Sequence, residues 1–412
     1  MVATLHPLAA FLIGKNRRIL IAVLMLVVAS GVVYSTYLGD SLRFLPDEQD
    51  YLTLAEKIAT RGFYTLDGEY PTAYRPPGYP LFLSLFYSIG AGVVDFRILN
   101  FLILGLSIYL VYKILQEISS SFSAVLGALL VVAYPVVFFT AGTLYPQTLA
   151  SLLLLLFFYW VIAKNQSYYF VLAGFCLGYL VLTVPTFVFV LPVLLLWYRF
   201  NKGALPGMGL VLVLLAAILL VGSWTVRNYY AFGSFIFVSS NSGENLLLGN
   251  SENTTPNDGS GVDISKYEAQ AANLGEIERD KFLREQALKY MWEHKLQTVK
   301  MYFLKLLNFF NFRNELVTQS EESSLQDILM LVPYAPLLLI LILRLLMLSA
   351  YKPVPAEVLL ILLYLGSAFA SALFFTRIRF RIPSDFLLIV IAALFVENVL
   401  SRQLRRMSFV KV

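Results

Sequence analysis

The sequence is poor in the residues that most metal and nucleophile chemistry uses. Its 412 residues include one cysteine, Cys176, and two histidines, His6 and His294. A single cysteine excludes an intrachain disulfide and a thiolate metal cluster, and two histidines argue against zinc. Cys176 sits within an apolar span and reads as a small packed side chain. Charge is also scarce. Charged residues make up 14% of the chain and hydrophobic ones 58%, against about 25% and about 45–50% in ordinary soluble domains. Apolar runs recur from end to end, several of them reaching the roughly 20 residues that cross a bilayer. The net charge of +5 therefore carries no nucleic-acid signal, because basic residues in such chains set topology.

What is present is an all-α integral membrane pattern of roughly ten spans, with both ends expected inside. Lys15, Arg17 and Arg18 precede an apolar run from Ile19 to Tyr37, read as a retained first helix. Further spans are expected near 96–112, 122–139, 148–163, 168–182, 186–198, 208–224, 328–349, 356–375 and 385–400. Lys113, Lys164, Arg199, Lys202 and Lys352 mark inner loops. The chain divides into residues 1–224, a long polar external segment 225–326, and residues 327–412. An amphipathic stretch around Lys300 to Phe310 is expected to lie in the membrane interface.

The polar residues gather outside. The first external loop, Leu38 to Pro80, holds Asp47, Glu48 and Asp50, then Arg75-Pro76-Pro77. Within it, Asp47 to Thr60 has helical spacing with an apolar face of Tyr51, Leu54, Ala55 and Ile58, stopped by Arg61-Gly62. A short helix from Gly78 is expected to lie on the outer face. A second short loop, 376–383, carries Arg377, Arg379 and Arg381 on the side where basic residues are disfavoured. Arginines so placed call for an anion, and their planar fork suits a phosphate. A carboxylate beside phosphate-binding arginines at a membrane surface points to group transfer from a lipid-linked phosphate. The leaving phosphate needs positive charge, and the acceptor hydroxyl needs one base.

Several motifs in this order resemble the GT-C superfamily of membrane glycosyltransferases, near the protein O-mannosyltransferase and lipid A aminoarabinose transferase branch. They are Pro46-Asp47-Glu48-Gln49-Asp50-Tyr51, Tyr74-Arg75-Pro76-Pro77-Gly78-Tyr79-Pro80, Trp224-Thr225-Val226-Arg227-Asn228-Tyr229, Gly243-Glu244-Asn245-Leu246 and Arg379-Phe380-Arg381-Ile382-Pro383. The resemblance implies Asp47 as catalytic base with Glu48 as its acidic neighbour. It implies Arg75, Arg379 and Arg381 as ligands of the donor phosphate. Tyr51, Tyr74, Gln147, Arg227 and Asn245 are further candidates for substrate contact. The donor would be a monosaccharide on undecaprenyl or a similar polyprenyl phosphate, transferred with inversion to a glycan, lipid or protein hydroxyl. The setting would be a bacterial inner membrane, with the site facing the periplasm. Two departures stand out: Gln147 where the family often has an acid, and Val184 where it often has a base. No cofactor is expected, and a divalent metal is not favoured.

Plainer roles compete. Asp47 could cap its helix, Glu48 and Asp50 could be solvated, Arg377 could snorkel to headgroups, and Arg227 could anchor a helix end. A flippase for a lipid-linked saccharide would predict internal repeats and charged midplane helices, and a lipid-binding scaffold would make Asp47 dispensable. Neither repeats nor midplane charge is evident in the sequence.

Overall fold

The computed structural model describes residues 2–163, 166–201, 203–313 and 324–409, so Lys164 and Lys202 lie outside the described residues. The first half contains α1 (Val2–Leu38), α2 (Asp47–Arg61), α3 (Gly78–Tyr87), α4 (Val93–Ile118), α5 (Ser121–Val132), α6 (Pro135–Ala141), α7 (Gln147–Ala163), α8 (Ser167–Thr183), α9 (Val190–Phe200) and α10 (Gly207–Phe232). The segment expected to be external contributes α11 (Ser242–Gly249), α12 (Ser265–Ala271), α13 (Glu276–Glu293) and α14 (Lys295–Phe309), followed by α15 (Ser324–Leu346), α16 (Pro355–Ala372) and α17 (Ile378–Phe409). The fold is all-helical, with no strand among the described residues.

Six of these helices are long and apolar enough to cross a membrane. The expected single span at 122–139 is instead a pair, α5 and α6, bent by 62°. Pro135 explains the break, since its ring blocks helix continuation and disfavours the helical region for Tyr134. Three shorter apolar stretches, 147–162, 167–183 and 185–200, coincide with the expected spans at 148–163, 168–182 and 186–198. The chain is a multi-pass membrane protein.

The bundle is built around α17, whose stretch from Phe386 to Phe395 is buried on every side. An all-round apolar helix suits only such a central place. Helices α8 and α10 approach closely because Gly174 and Gly178 lie one turn apart on one face. A side chain at Gly174 would come within 2.4 Å of the Val213 carbonyl, the small-residue packing common between membrane helices.

A second, smaller core organises the external segment, with Leu247, Leu248, Val262, Ile264, Leu283, Ala287 and Phe375 buried together. Two side chains join it to the rest. Glu276 accepts from Thr72 Oγ1 at 2.6 Å and from the Ala73 N–H at 2.8 Å. Lys305, fully buried, donates to the carbonyls of Gly249 at 2.8 Å and Phe374 at 2.7 Å. These contacts place the external segment over the end of the bundle where α2, the turn before α7 and the start of α17 meet.

Candidate active site

The first loop folds as its spacing predicts. Helix α2 runs from Asp47 to Arg61 and ends where Gly62 adopts φ 64° and donates to the Ile58 carbonyl, a left-handed stop that glycine makes without strain. Asp47 does not cap the helix. It is the first helical residue, after Pro46, and the helix shows no side-chain cap. Its carboxylate faces three other partners. Arg75 Nη2 donates to Oδ1 at 2.7 Å, Arg379 Nη1 donates to Oδ2 at 3.0 Å, and the Tyr145 hydroxyl donates to Oδ2 at 3.0 Å. The Asp47 and Arg379 side chains keep 21% and 30% exposure, so both reach the surrounding space.

The network extends from there. Arg75 Nε donates to Asp50 at 2.9 Å, which makes Asp50 a partner in the site and not a solvated bystander. Arg379 Nη1 also donates to the Tyr145 oxygen at 2.6 Å and keeps its Nε without a partner. Burial pushes the Asp47 carboxyl up, but Arg75, Arg379 and the Tyr145 hydrogen bond outweigh it and hold Asp47 below its usual range. Burial likewise pushes the Tyr145 phenol up, so it remains a donor.

Glu48 lies on the opposite side of the helix start and is fully buried. It accepts from the backbone N–H groups of Arg43 at 2.6 Å, Phe44 at 2.9 Å and Leu144 at 2.7 Å. It therefore staples the first loop to the second, one residue before Tyr145. The second loop is held from below as well. Arg97 donates to the Gly142 carbonyl at 3.1 Å, and Asn100 donates to the Thr143 carbonyl at 2.8 Å. Tyr145 is not apparent in the sequence, because nothing in Thr140 to Pro146 sets one residue of the turn apart from its neighbours. Its signal is tertiary.

The structure separates Arg379 from Arg381, which the sequence had paired. The segment is helical, so residues two apart point about 200° away from each other. Arg379 faces Asp47. Arg381 is 1% exposed and turns into the bundle, where it donates to the carbonyls of Phe309 at 2.7 Å and Asn311 at 2.6 Å and pairs with Asp385 at 3.1 Å. Its geometry is that of a packing anchor. Arg227 is similar: it donates to the carbonyls of Thr72 at 3.0 Å and Tyr64 at 3.3 Å and lies over the Trp224 ring. Arg377 donates to the Asp258 carbonyl.

Two cavities meet at this network. The larger, about 860 Å³, is lined by Asp47, Tyr51, Arg75, Tyr145, Gln147 and Arg379, with Val184, Pro185, Phe189 and Phe374 giving it an apolar wall. The smaller, about 340 Å³, is lined by Tyr74, Glu244, Asp263 and Glu268. Asp47, Arg75, Asn245 and Arg379 line both. Asp47 thus stands where an amphipathic cavity and a polar one join. Among the described residues no three His, Cys, Asp or Glu side chains come together as a metal-ligand set.

Comparison with known proteins follows this geometry. The family profile of dolichyl-phosphate-mannose-protein mannosyltransferases matches residues 74–225. No curated protein matches the sequence. Among solved structures, the Archaeoglobus fulgidus oligosaccharyltransferase tethered to an acceptor peptide aligns with a TM-score of 0.52 and 13% identity over 92% of this chain and 50% of that one. The A. fulgidus oligosaccharyltransferase AglB, in complex with an inhibitory peptide and a dolichol-phosphate, aligns with a TM-score of 0.50 and 14% identity over 94% and 52%. ArnT from Cupriavidus metallidurans, bound to undecaprenyl phosphate, aligns with a TM-score of 0.44 and 14% identity over 91% and 77%.

Proposed function

From the premise that this chain has the fold of the GT-C membrane glycosyltransferases, we propose that it moves one sugar from a polyprenyl phosphate to an acceptor hydroxyl. The observation that carries the reading is the place of Asp47: at the junction of two cavities, gripped by Arg75 and Arg379. The larger cavity takes the donor. Its apolar wall suits a prenyl chain, and its arginines suit the phosphate. The smaller, polar cavity takes the acceptor, and its hydroxyl arrives at Asp47.

Asp47 is tied up until the donor arrives. The incoming phosphate draws Arg75 and Arg379 toward its own oxygens, and the partly exposed Arg379 side chain gives it a first contact. Asp50 stays on Arg75 and keeps it aimed. Losing its arginine contacts, Asp47 becomes more basic just as the acceptor is in place. The acceptor oxygen attacks the anomeric carbon from the face opposite the phosphate, its proton passes to Asp47, and the C–O bond to phosphate breaks. The lipid phosphate leaves with the bonding electrons, neutralised by the two arginines, and the configuration inverts. A positioned base of this kind contributes about 10²–10⁴-fold.

The donor set does not fit a divalent metal, because the Asp47 oxygens already face two arginines and a phenol. The proposal therefore includes metal independence, an active site on the outer face of a bacterial inner membrane, and cytoplasmic termini. The test uses the full chain in proteoliposomes with a radiolabelled polyprenyl-phosphate sugar and extracted envelope acceptors. Transfer of label with release of polyprenyl phosphate is expected. Binding of donor without transfer to any acceptor fraction, or no binding of donor, overturns the reading.

A further inference from the structure

Helix α7 begins at the larger cavity with Gln147, which lines the cavity wall and is 4% exposed. Its Oε1 is buried and accepts no hydrogen bond. Of the residues around it on the cavity lining, Pro146, Val184 and Pro185 have no side-chain polar group, and the hydroxyls of Thr183 and Thr186 make no hydrogen bond to it. A buried amide left without a partner costs free energy that a bound ligand can recover. Such an amide at a cavity wall, two residues from Tyr145, is a recognition group whose partner comes from outside the protein.

The chemistry of that partner follows from the amide and its surroundings. A carboxamide offers an acceptor at one end and donors at the other, and a hydroxyl can satisfy either. We infer that Gln147 reads a ring hydroxyl of the donor's sugar. The inference rests on the proposed donor role of the larger cavity.

Affinities of the detergent-solubilised full chain for citronellyl phosphate, for citronellyl-phosphate hexose and for the hexose lacking one hydroxyl at a time test it. The near-isosteric variant Gln147→Met is measured in parallel. The unmodified protein should bind the hexose conjugate about tenfold more tightly than the bare phosphate, the scale of one well-placed hydrogen bond. One deoxy analogue should lose that gain. Gln147→Met should bind the bare phosphate normally, lack the gain, and be indifferent to the same deoxygenation, as a double-mutant cycle requires. The deoxy series on the unmodified protein needs no variant and stands if Gln147→Met fails to fold. A gain that survives in Gln147→Met overturns the inference and leaves the donor site intact. Failure of the unmodified protein to bind citronellyl phosphate overturns the donor-site reading itself.

Discussion

Replacing Asp47 with asparagine removes one negative charge from between two arginines and leaves the shape of the side chain unchanged. Two opposite effects follow on two measurable quantities. Transfer should fall by about 10²–10⁴-fold, the contribution of a positioned base, because an amide cannot take the acceptor's proton. Donor affinity should not fall. In the unmodified protein the donor phosphate competes with Asp47 for Arg75 and Arg379, which it holds at 2.7 and 3.0 Å. A charge-assisted contact of this kind contributes about 1.5–3 kcal/mol when well placed. The Asp47 side chain is 21% exposed, so solvent screening reduces that figure, and about 1.4 kcal/mol, or tenfold, is a realistic ceiling. Asp47→Asn should therefore bind polyprenyl phosphate equally well or up to about tenfold more tightly. The assay is titration of the purified protein with polyprenyl phosphate, alongside transfer in proteoliposomes. Loss of donor binding together with activity would refute the competition on which the mechanism turns, and transfer at the unmodified rate would refute the base.

Four further expectations follow. Arg379→Ala should raise the donor Kd by about tenfold or more, as loss of a charged hydrogen bond does, while thermal stability changes little; an unchanged Kd would remove Arg379 from the donor site. Arg381→Met should do the reverse. Its partners are two carbonyls and Asp385, so a thermal melt should shift down while the donor Kd of the folded fraction stays put. Glu48→Gln weakens acceptance from three backbone N–H groups and should lower both stability and kcat by displacing Asp47 and Tyr145 together; a normal kcat would show that the staple does not position the base. Asp47 is needed ionised, and its arginines depress its pKa in the free protein, so ionisation survives acidification until below the ordinary carboxylate range. The acid limb of kcat/KM should accordingly lie below the ordinary carboxylate range, and that of kcat, which reports the donor complex, at higher pH. Coincident limbs would count against release of the arginines by donor.

The sequence made the fold and half of the site legible for different reasons. Apolar runs separated by polar loops define a helical membrane bundle almost irrespective of tertiary detail, and the expected spans fall on apolar helices, the one at 122–139 on a bent pair. Asp47, Arg75 and Arg379 stood out because charge is scarce in this chain and these residues fall in recognisable motifs. The errors share one cause. Arg379 and Arg381 looked equivalent as an alternating pair, but alternation means a shared face only on a strand. Glu48 read as the acidic neighbour of Asp47 or a solvated side chain, yet its partners are backbone N–H groups that no side-chain pattern announces. Tyr145 acquires its place only through Asp47 and Arg379, both far from it along the chain, and Asp50 through Arg75 of the same loop.

The start of α17 has a consequence for how the protein is made. Asp47, Arg75 and Tyr145 all lie in the first 150 positions, whereas the arginine that closes their circle is residue 379, on the final helix. Membrane helices leave the ribosome in order, so every partially synthesised form carries a base, one cation and a phenol without the second clamp. In the proposed mechanism such a form would meet the donor phosphate with one arginine only. Helix α17 also fills the centre of the bundle, so the packing of this helix and the completion of the proposed site are one event.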